Sequence, residues 1–108
     1  MVLDVLSALA EPTRLAAFSL LGDGGEHCVC ELMRLTGASQ SRMSRHMQML
    51  KLAGLVKDRR EAQWVRYRLN PDLPDEVRGI VSAILRSVAS EQRAKTAEDL
   101  REGEEAVA

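Results

Sequence analysis

The chain has 108 residues, of which 45% are hydrophobic and 29% are charged, with a formal net charge of -1 at pH 7. This length predicts one small domain, in which any large additional function depends on self-association or on a partner. The chain has neither a basic segment followed by an apolar block at its start nor a run of eighteen apolar residues. We therefore exclude a secretory signal and a transmembrane helix, and we expect a cytoplasmic protein with no membrane partner.

Apolar spacing predicts two helices in the first part of the chain. Val2, Leu6 and Leu9 recur at helical intervals. A second helix is predicted from Pro12, a residue type favoured at the first helical position, to Gly22. The segment GDGG then ends this helix.

The next segment has the pattern of a helix-turn-helix unit. A short third helix is predicted from about Cys28, ending at Gly37, which can adopt a left-handed conformation. Ser39 can cap a fourth helix that ends at Gly54. The inward positions of the two helices are Val29, Leu32, Leu35, Met43, Met47 and Leu50. Two helices joined by a three-residue turn are typical of DNA-binding proteins.

Polar side chains on the fourth helix are candidates for binding base edges and phosphates of double-stranded DNA. The candidate residues there are Ser39, Gln40, Ser41, Arg42, Ser44, Arg45 and His46. Residues 37–69 contain eight arginines and lysines but two acidic residues, whereas residues 91–108 contain more acidic than basic residues. The basic segment fits an anionic partner, and a solvated charged surface is the alternative reading.

Two short strands, LVKDRR and WVRYRL, are predicted from period-two alternation. They form a basic hairpin, or wing, in which Arg59, Arg60 and Arg66 are further candidates for contacts with DNA, mainly with phosphates. The predicted fold class is therefore mainly α with a small β-hairpin, a winged helix-turn-helix.

The last helix is predicted after Pro71 and Pro74, and the chain beyond Thr96 is charged. We predict one DNA-binding and dimerisation domain at residues 1–96 and a disordered tail at residues 97–108. The first and last helices are expected to form a homodimer with twofold symmetry, which would bind an inverted repeat in DNA. Packing within one chain is the alternative. The candidate interface residues are Leu3, Leu6, Val77, Ile80, Val81, Ile84, Leu85 and Val88.

Four segments, LSALAEPTRLAAFSLL, HCVCELM, SQSRMSRHMQMLKLAGLV and DRREAQWVRYRL, resemble the ArsR/SmtB family of metal-responsive transcriptional repressors. Within that family the CVC pair is similar to the arsenic-responsive subgroup. The resemblance implies a homodimeric repressor, not an enzyme, that controls arsenic efflux or reduction genes. It also implies that As(III) or Sb(III) binds Cys28 and Cys30 and releases the operator.

Two positions depart from the family pattern. Met33 stands where many relatives carry a third cysteine, and a thioether is a poor ligand for As(III). The remaining coordination would come from water or hydroxide, from a small-molecule thiol, or from the other chain. Glu61 and Ala62 stand where a glycine-containing turn is usual, so we expect a wider or longer hairpin tip.

Thiolates select soft or borderline ions, and a helix start lowers the pKa of a thiol. On a regular helix, residues i and i+2 lie about 200° apart, so chelation requires the first turn of the third helix to unwind or to start late. We expect the resulting strain to reach the fourth helix, the recognition helix that would contact DNA, through a single helix-helix contact. His27 either assists the pair or is a solvated loop residue, and the last helix contains no histidine for a zinc site.

Three other functions remain open. A Cd(II)- or Pb(II)-responsive repressor would use the same scaffold, although that subgroup usually adds cysteines near the N-terminus. A thiol-redox-responsive repressor would need an oxidant. A small thiol-disulfide exchange enzyme belongs to a different class, and the cysteine pair lacks the strand-helix frame expected for it.

Overall fold

The computed structural model describes the backbone of residues 1–107 and the side chains of residues 1–103. The helices are α1 (Val2–Leu9), α2 (Pro12–Leu20), α3 (Val29–Thr36), α4 (Gln40–Leu52) and α5 (Asp75–Val107). The strands are β1 (His27–Cys28), β2 (Val56–Glu61) and β3 (Trp64–Leu69), and a 3-10 turn at Leu21–Asp23 follows α2. Within residues 1–107, the helices are too short or too polar to cross a membrane.

The predicted helix-turn-helix is confirmed, with α3 and α4 separated by residues 37–39. Gly37 has a φ of 79°, the left-handed conformation that ends α3. The Oγ of Ser39 accepts the N–H of Arg42 at 3.3 Å and caps α4. The inward residues Met43, Met47 and Leu50 are fully buried against Phe18 and Leu32 in one hydrophobic core.

The sheet contains one more strand than the sequence predicts. Its order is β1-β3-β2, and both pairings are antiparallel. The two residues of β1 pair with β3, so His27 lies opposite Tyr67 and Cys28 lies opposite Arg66. Strand β1, which the sequence does not predict, therefore joins the segment before α3 to the wing.

The expectation of a wide wing tip is wrong. Glu61 pairs with Trp64, which leaves a two-residue loop of Ala62 and Gln63. Ala62 adopts a φ of 55°, which replaces the glycine usual at the first position of such a turn. The hairpin closes tightly because this alanine accepts a left-handed conformation.

The two terminal helices differ from the prediction in their buried faces and in length. Val5, Ala8 and Leu9 are the buried residues of α1, whereas Val2 and Leu6 are exposed. Helix α5 continues through residues 97–107, where the sequence predicts disorder, because nothing in that segment but Gly103 interrupts a run of helix-forming residues. Ala108 lies outside the described residues. The domain boundary at residue 96 stays a prediction.

Candidate DNA-binding surface and thiol pair

The outer face of α4 presents the polar side chains predicted to read DNA. Gln40, Ser41, Arg42, Ser44 and Arg45 are all exposed, whereas Met43 and Met47 of the same helix are buried. Ser39 is also exposed, and its hydroxyl is used as the helix cap. The first turns of α4 therefore offer two arginines, one glutamine and two hydroxyls to a groove.

His46 does not belong to this face, which corrects its assignment as a DNA contact. Its side chain is 13% exposed, and its Nδ1 lies 3.3 Å from Arg14 Nη1 and 3.8 Å from Glu11 Oε2. Arg14 also donates from Nε to the Ala8 carbonyl at 2.6 Å. The cause is the helical period: position 46 follows Met43 by three residues and turns toward α2. His46 and Arg14 thus join the recognition helix to α1 and α2.

The wing arginines divide into paired and unpaired side chains. Arg59 donates Nε and Nη2 to the two oxygens of Glu26, at 2.9 and 2.7 Å. Arg66 donates Nε to Glu61 at 2.7 Å. Arg60 is exposed and makes no ion pair with any side chain in residues 1–103. Of the three predicted wing contacts, Arg60 is the one that forms no ion pair with a carboxylate among the described side chains.

The two cysteines lie at the start of α3, where the helix begins late. Cys28 is the last residue of β1 and the N-cap of α3, with φ -68° and ψ 145°, and Cys30 is inside the first turn. The Sγ of Cys28 accepts the N–H of Cys30 at 3.4 Å. Because Cys28 is extended and not helical, the opposite orientation expected for i and i+2 on a helix does not arise. The Cys28 sulfur therefore lies against the first turn of α3, beside the backbone of Cys30, without any unwinding of that helix.

This position favours a thiolate at Cys28. Burial raises the pKa of a thiol there, but the thiol of Cys30 and the backbone N–H groups of Cys30 and Glu31 outweigh that effect. The pKa of Cys28 is therefore below its ordinary value. The Cys28 sulfur, followed by burial, raises the pKa of Cys30 above its ordinary value. At a given pH, Cys28 therefore has the larger thiolate fraction, and Cys30 is the more exposed thiol.

His27 holds the same turn and is not a solvated loop residue. Its Nε2 lies 2.9 Å from Asp23 Oδ2, and its Nδ1 lies 3.1 Å from Glu31 Oε2. The hydrogen bond with Asp23 is the main effect that raises the pKa of His27, and Glu31 adds to it against the opposing effect of burial. Because both ring nitrogens contact carboxylates, His27 positions the start of α3.

Met33, one turn later, is half-buried against the core.

Comparison with known proteins decides the family. Residues 11–58 match the family described as bacterial regulatory protein, arsR family. The chain is 44% identical over 84 residues to the arsenic resistance transcriptional regulator ArsR2 of Pseudomonas putida, which covers 78% of this chain and 73% of that protein. This chain belongs to the ArsR family.

Two further proteins are similar to this chain, a repressor and a protein of solved structure. The arsenical resistance operon repressor of Escherichia coli is 42% identical over 72 residues, covering 67% of this chain and 62% of that protein. A homodimeric winged helix-turn-helix DNA-binding domain from Mycobacterium bovis, a possible ArsR-family regulator, superposes with a TM-score of 0.65 at 34% identity. That match covers 83% of this chain and 79% of the other. The ArsR-family protein described here is thus a winged helix-turn-helix regulator of transcription, and not an enzyme.

The candidate dimer residues of this ArsR-family chain are only partly available to a partner. Val77 and Val81 are buried in the core of their own chain, so we remove them from the interface. Their burial follows from α5 covering the helical core at its first turns. Leu3 and Leu6 are exposed. The remaining candidates are half-buried, namely Ile80, Ile84, Leu85 and Val88.

The sequence predicts the thiol pair and the exposed polar residues of α4, but it does not predict the ion pairs on the wing. Glu26 precedes β1 and belongs to no predicted motif, yet it binds Arg59 with both carboxylate oxygens. A contact between residues 26 and 59 depends on β1 pairing with β3. The alternation in β2 and β3 could have placed Arg59, Glu61 and Arg66 on one face, but not Glu26.

Proposed function

We propose that this protein is a homodimeric repressor of an arsenic-resistance operon and that As(III) or Sb(III) releases it from DNA by binding Cys28 and Cys30. One observation supports this proposal most strongly: the N-cap position of Cys28 places its sulfur 3.4 Å from the backbone N of Cys30, at the start of the first helix of the helix-turn-helix. The arsenic-resistance functions named for the relatives in Pseudomonas putida and Escherichia coli support the same inducer.

The chemistry of the donors supports a soft inducer. Two sulfurs, one with a lowered pKa, suit trivalent arsenic or antimony better than magnesium or calcium, which prefer oxygen donors. Each thiol replaces one hydroxyl of arsenous acid and releases one water, so binding needs no oxidant. Among the described residues, no group of three or more histidine, cysteine or acidic side chains could hold a metal ion. The chain itself therefore supplies two thiol donors for the inducer.

DNA binding is assigned to α4 and the wing of each protomer. Gln40, Arg42 and Arg45 would enter the major groove, while Arg60 would contact the backbone or the minor groove. A twofold dimer places two such helices about 34 Å apart, which fits an inverted repeat. The exposed Leu3 and Leu6 on α1 and the half-buried apolar positions on α5 would form the dimer interface.

An operator-release titration tests the inducer assignment. Fluorescence anisotropy would follow a labelled duplex from the promoter of the gene, under reducing conditions, as arsenite is added. We expect arsenite to release the wild type and Met33→Leu, which keeps both thiols, but not Cys28→Ser or Cys30→Ser. Equal release of Cys28→Ser and the wild type would contradict the proposal.

The same assay separates the two rival inducers. Release by Cd(II) or Pb(II) at concentrations where arsenite has no effect would indicate a heavy-metal sensor on this scaffold. Release by an oxidant alone, reversed by a reductant, would indicate a thiol-redox switch. We expect neither result for the wild-type protein.

A further inference from the structure

One row of side chains crosses the sheet from the thiol pair to the wing. Cys28 in β1 lies directly opposite Arg66 in β3, and Arg66 lies directly opposite Arg59 in β2. Residues directly opposite each other in an antiparallel ladder project from the same face. The row therefore begins at a proposed inducer ligand and ends on the outer strand of the wing.

Two glutamates connect the members of this row. Glu61 Oε2 accepts Arg66 Nε at 2.7 Å and Arg59 Nη2 at 3.3 Å. Two arginines directly opposite each other repel, and Glu61 offsets that repulsion. Arg59 also binds both carboxylate oxygens of Glu26, which precedes Cys28 by two residues. Together with the strand pairing, these contacts form a closed ring that runs from Cys28 through β3 and β2 and back to the segment before Cys28.

One member of this ring of contacts, Glu61, lies at the base of the wing tip. Glu61 is the last residue of β2, and the two-residue turn begins immediately after it, at Ala62. The contact between Arg66 and Glu61 therefore fixes the two strands at the base of that turn. At the other end of the row, β1 has only two residues, so a displacement of Cys28 acts on half of the pairing between β1 and β3.

We propose that Arg66 is the positioning residue that transmits occupation of the thiol pair to the wing. Arg66 acts through Glu61 and needs no contact with the inducer itself. The inference rests on the proposed function of Cys28 and Cys30, and it assigns the transmission to the sheet in addition to the contact between α3 and α4. A change at Cys28 shifts β3, loosens the Arg66–Glu61 contact and alters how the wing lies against DNA.

The first test compares the arsenite response of two arginine variants. Arg68 is the matched control, because it lies on the same strand and face and forms no ion pair with a side chain in residues 1–103. We expect Arg66→Met and Arg68→Met both to bind the operator more weakly. Only Arg66→Met should also reduce the ratio of operator Kd with and without arsenite, by about tenfold.

Two further measurements show that such a loss is specific. Calorimetry should show that Arg66→Met still binds arsenite with the wild-type stoichiometry, since both thiols are intact. Arg66→Lys, which keeps a cation within reach of Glu61, should recover part of the ratio. An unchanged ratio in Arg66→Met, equal to that of Arg68→Met, would overturn the inference.

The second test uses no inducer, so it separates the inference from the proposed function. In a Cys30→Ser background, the rate of Cys28 alkylation by iodoacetamide is measured with and without saturating operator DNA. Because coupling is reciprocal, we expect DNA to slow the reaction about fivefold when Arg66 is present and to have no effect in Arg66→Met. Direct shielding of Cys28 by DNA would persist in both proteins and would overturn the inference. If arsenite fails to release the wild type while this difference holds, the inducer assignment is wrong and the role of Arg66 is supported.

Discussion

Ala62 adopts a conformation that alanine disfavours, because the pairing of β2 with β3 determines the shape of the wing. An L-residue with a φ of 55° is less stable than glycine there, because the Cβ approaches its own backbone. The absence of a glycine led us to expect a longer tip, yet the flanking pairs of β2 and β3 close the turn around the alanine. The preference of a single residue was outweighed by six cross-strand pairs.

Ala62→Gly should therefore raise the free energy of unfolding, by about 0.5–1 kcal/mol after the entropy of the unfolded glycine is subtracted. Urea unfolding followed by circular dichroism measures this change. Gln63→Gly is the control, because Gln63 has a negative φ and gains nothing from glycine. If Ala62→Gly lost as much stability as Gln63→Gly, the conclusion that alanine is strained at position 62 would be wrong.

Arg45 and His46 are neighbours in sequence with different environments. Arg45 is exposed on the outer face of α4, whereas His46 contacts Arg14 and Glu11. We expect Arg45→Gln to weaken operator binding and, if the arginine contacts a phosphate, to reduce the slope of log K against log salt by about one. His46→Gln should lower thermal stability and leave that slope unchanged. If His46→Gln reduced the salt slope and Arg45→Gln lowered only the thermal stability, α4 would contact DNA with another face.

At the scale of elements, local signals predicted α4 and failed for β1. Ser39, the buried positions Met43 and Met47, and Gly54 all lie within a few residues of one another, so the sequence alone located the recognition helix. The two residues of β1 pair with a strand almost forty positions later, and no local pattern marks them. The pairing of β1 with β3, which holds Cys28 in an extended conformation ahead of α3, could not be predicted for the same reason.

Helix α2 depends on a cap whose strength varies with pH. A carboxylate oxygen of Glu11 accepts the N–H of Arg14 at 2.7 Å, and this hydrogen bond is the main cause of a pKa of Glu11 below its ordinary value of 4.5. A carboxyl group with a lowered pKa stabilises the fold above its unfolded pKa. That contribution is lost as the pH falls through its pKa in the folded protein.

Glu11→Ala should therefore lower the free energy of unfolding by about 1 kcal/mol at pH 7, the usual value of a helix cap. Below pH 4.5 the difference between wild type and variant should shrink steadily. Chemical denaturation of both proteins over the acid range measures this dependence. A difference that stays constant with pH would mean that the Glu11 charge has no part in capping α2.

For the protein as a whole, we propose two routes from the thiol pair to the candidate DNA-binding surface. The expected route passes from α3 to α4 across their packed core residues, Leu32 and Met43 among them. The route through β1 was not foreseen, and it reaches the wing directly through Arg66. Because Cys28 is extended ahead of α3, we expect inducer binding at the thiol pair to need no unwinding of α3, and we propose the wing as a second target of the signal.

In the proposed mechanism, the thiol pair and the operator share one free energy of coupling. Linkage requires that, if arsenite weakens operator binding by a given factor, saturating operator DNA weakens arsenite binding by the same factor. The decisive measurement is the arsenite Kd of the wild-type protein by calorimetry, with and without operator. We predict a weaker arsenite affinity in the complex, by about 5–150-fold and equal to the shift in operator Kd. An arsenite affinity that DNA leaves unchanged would contradict the account.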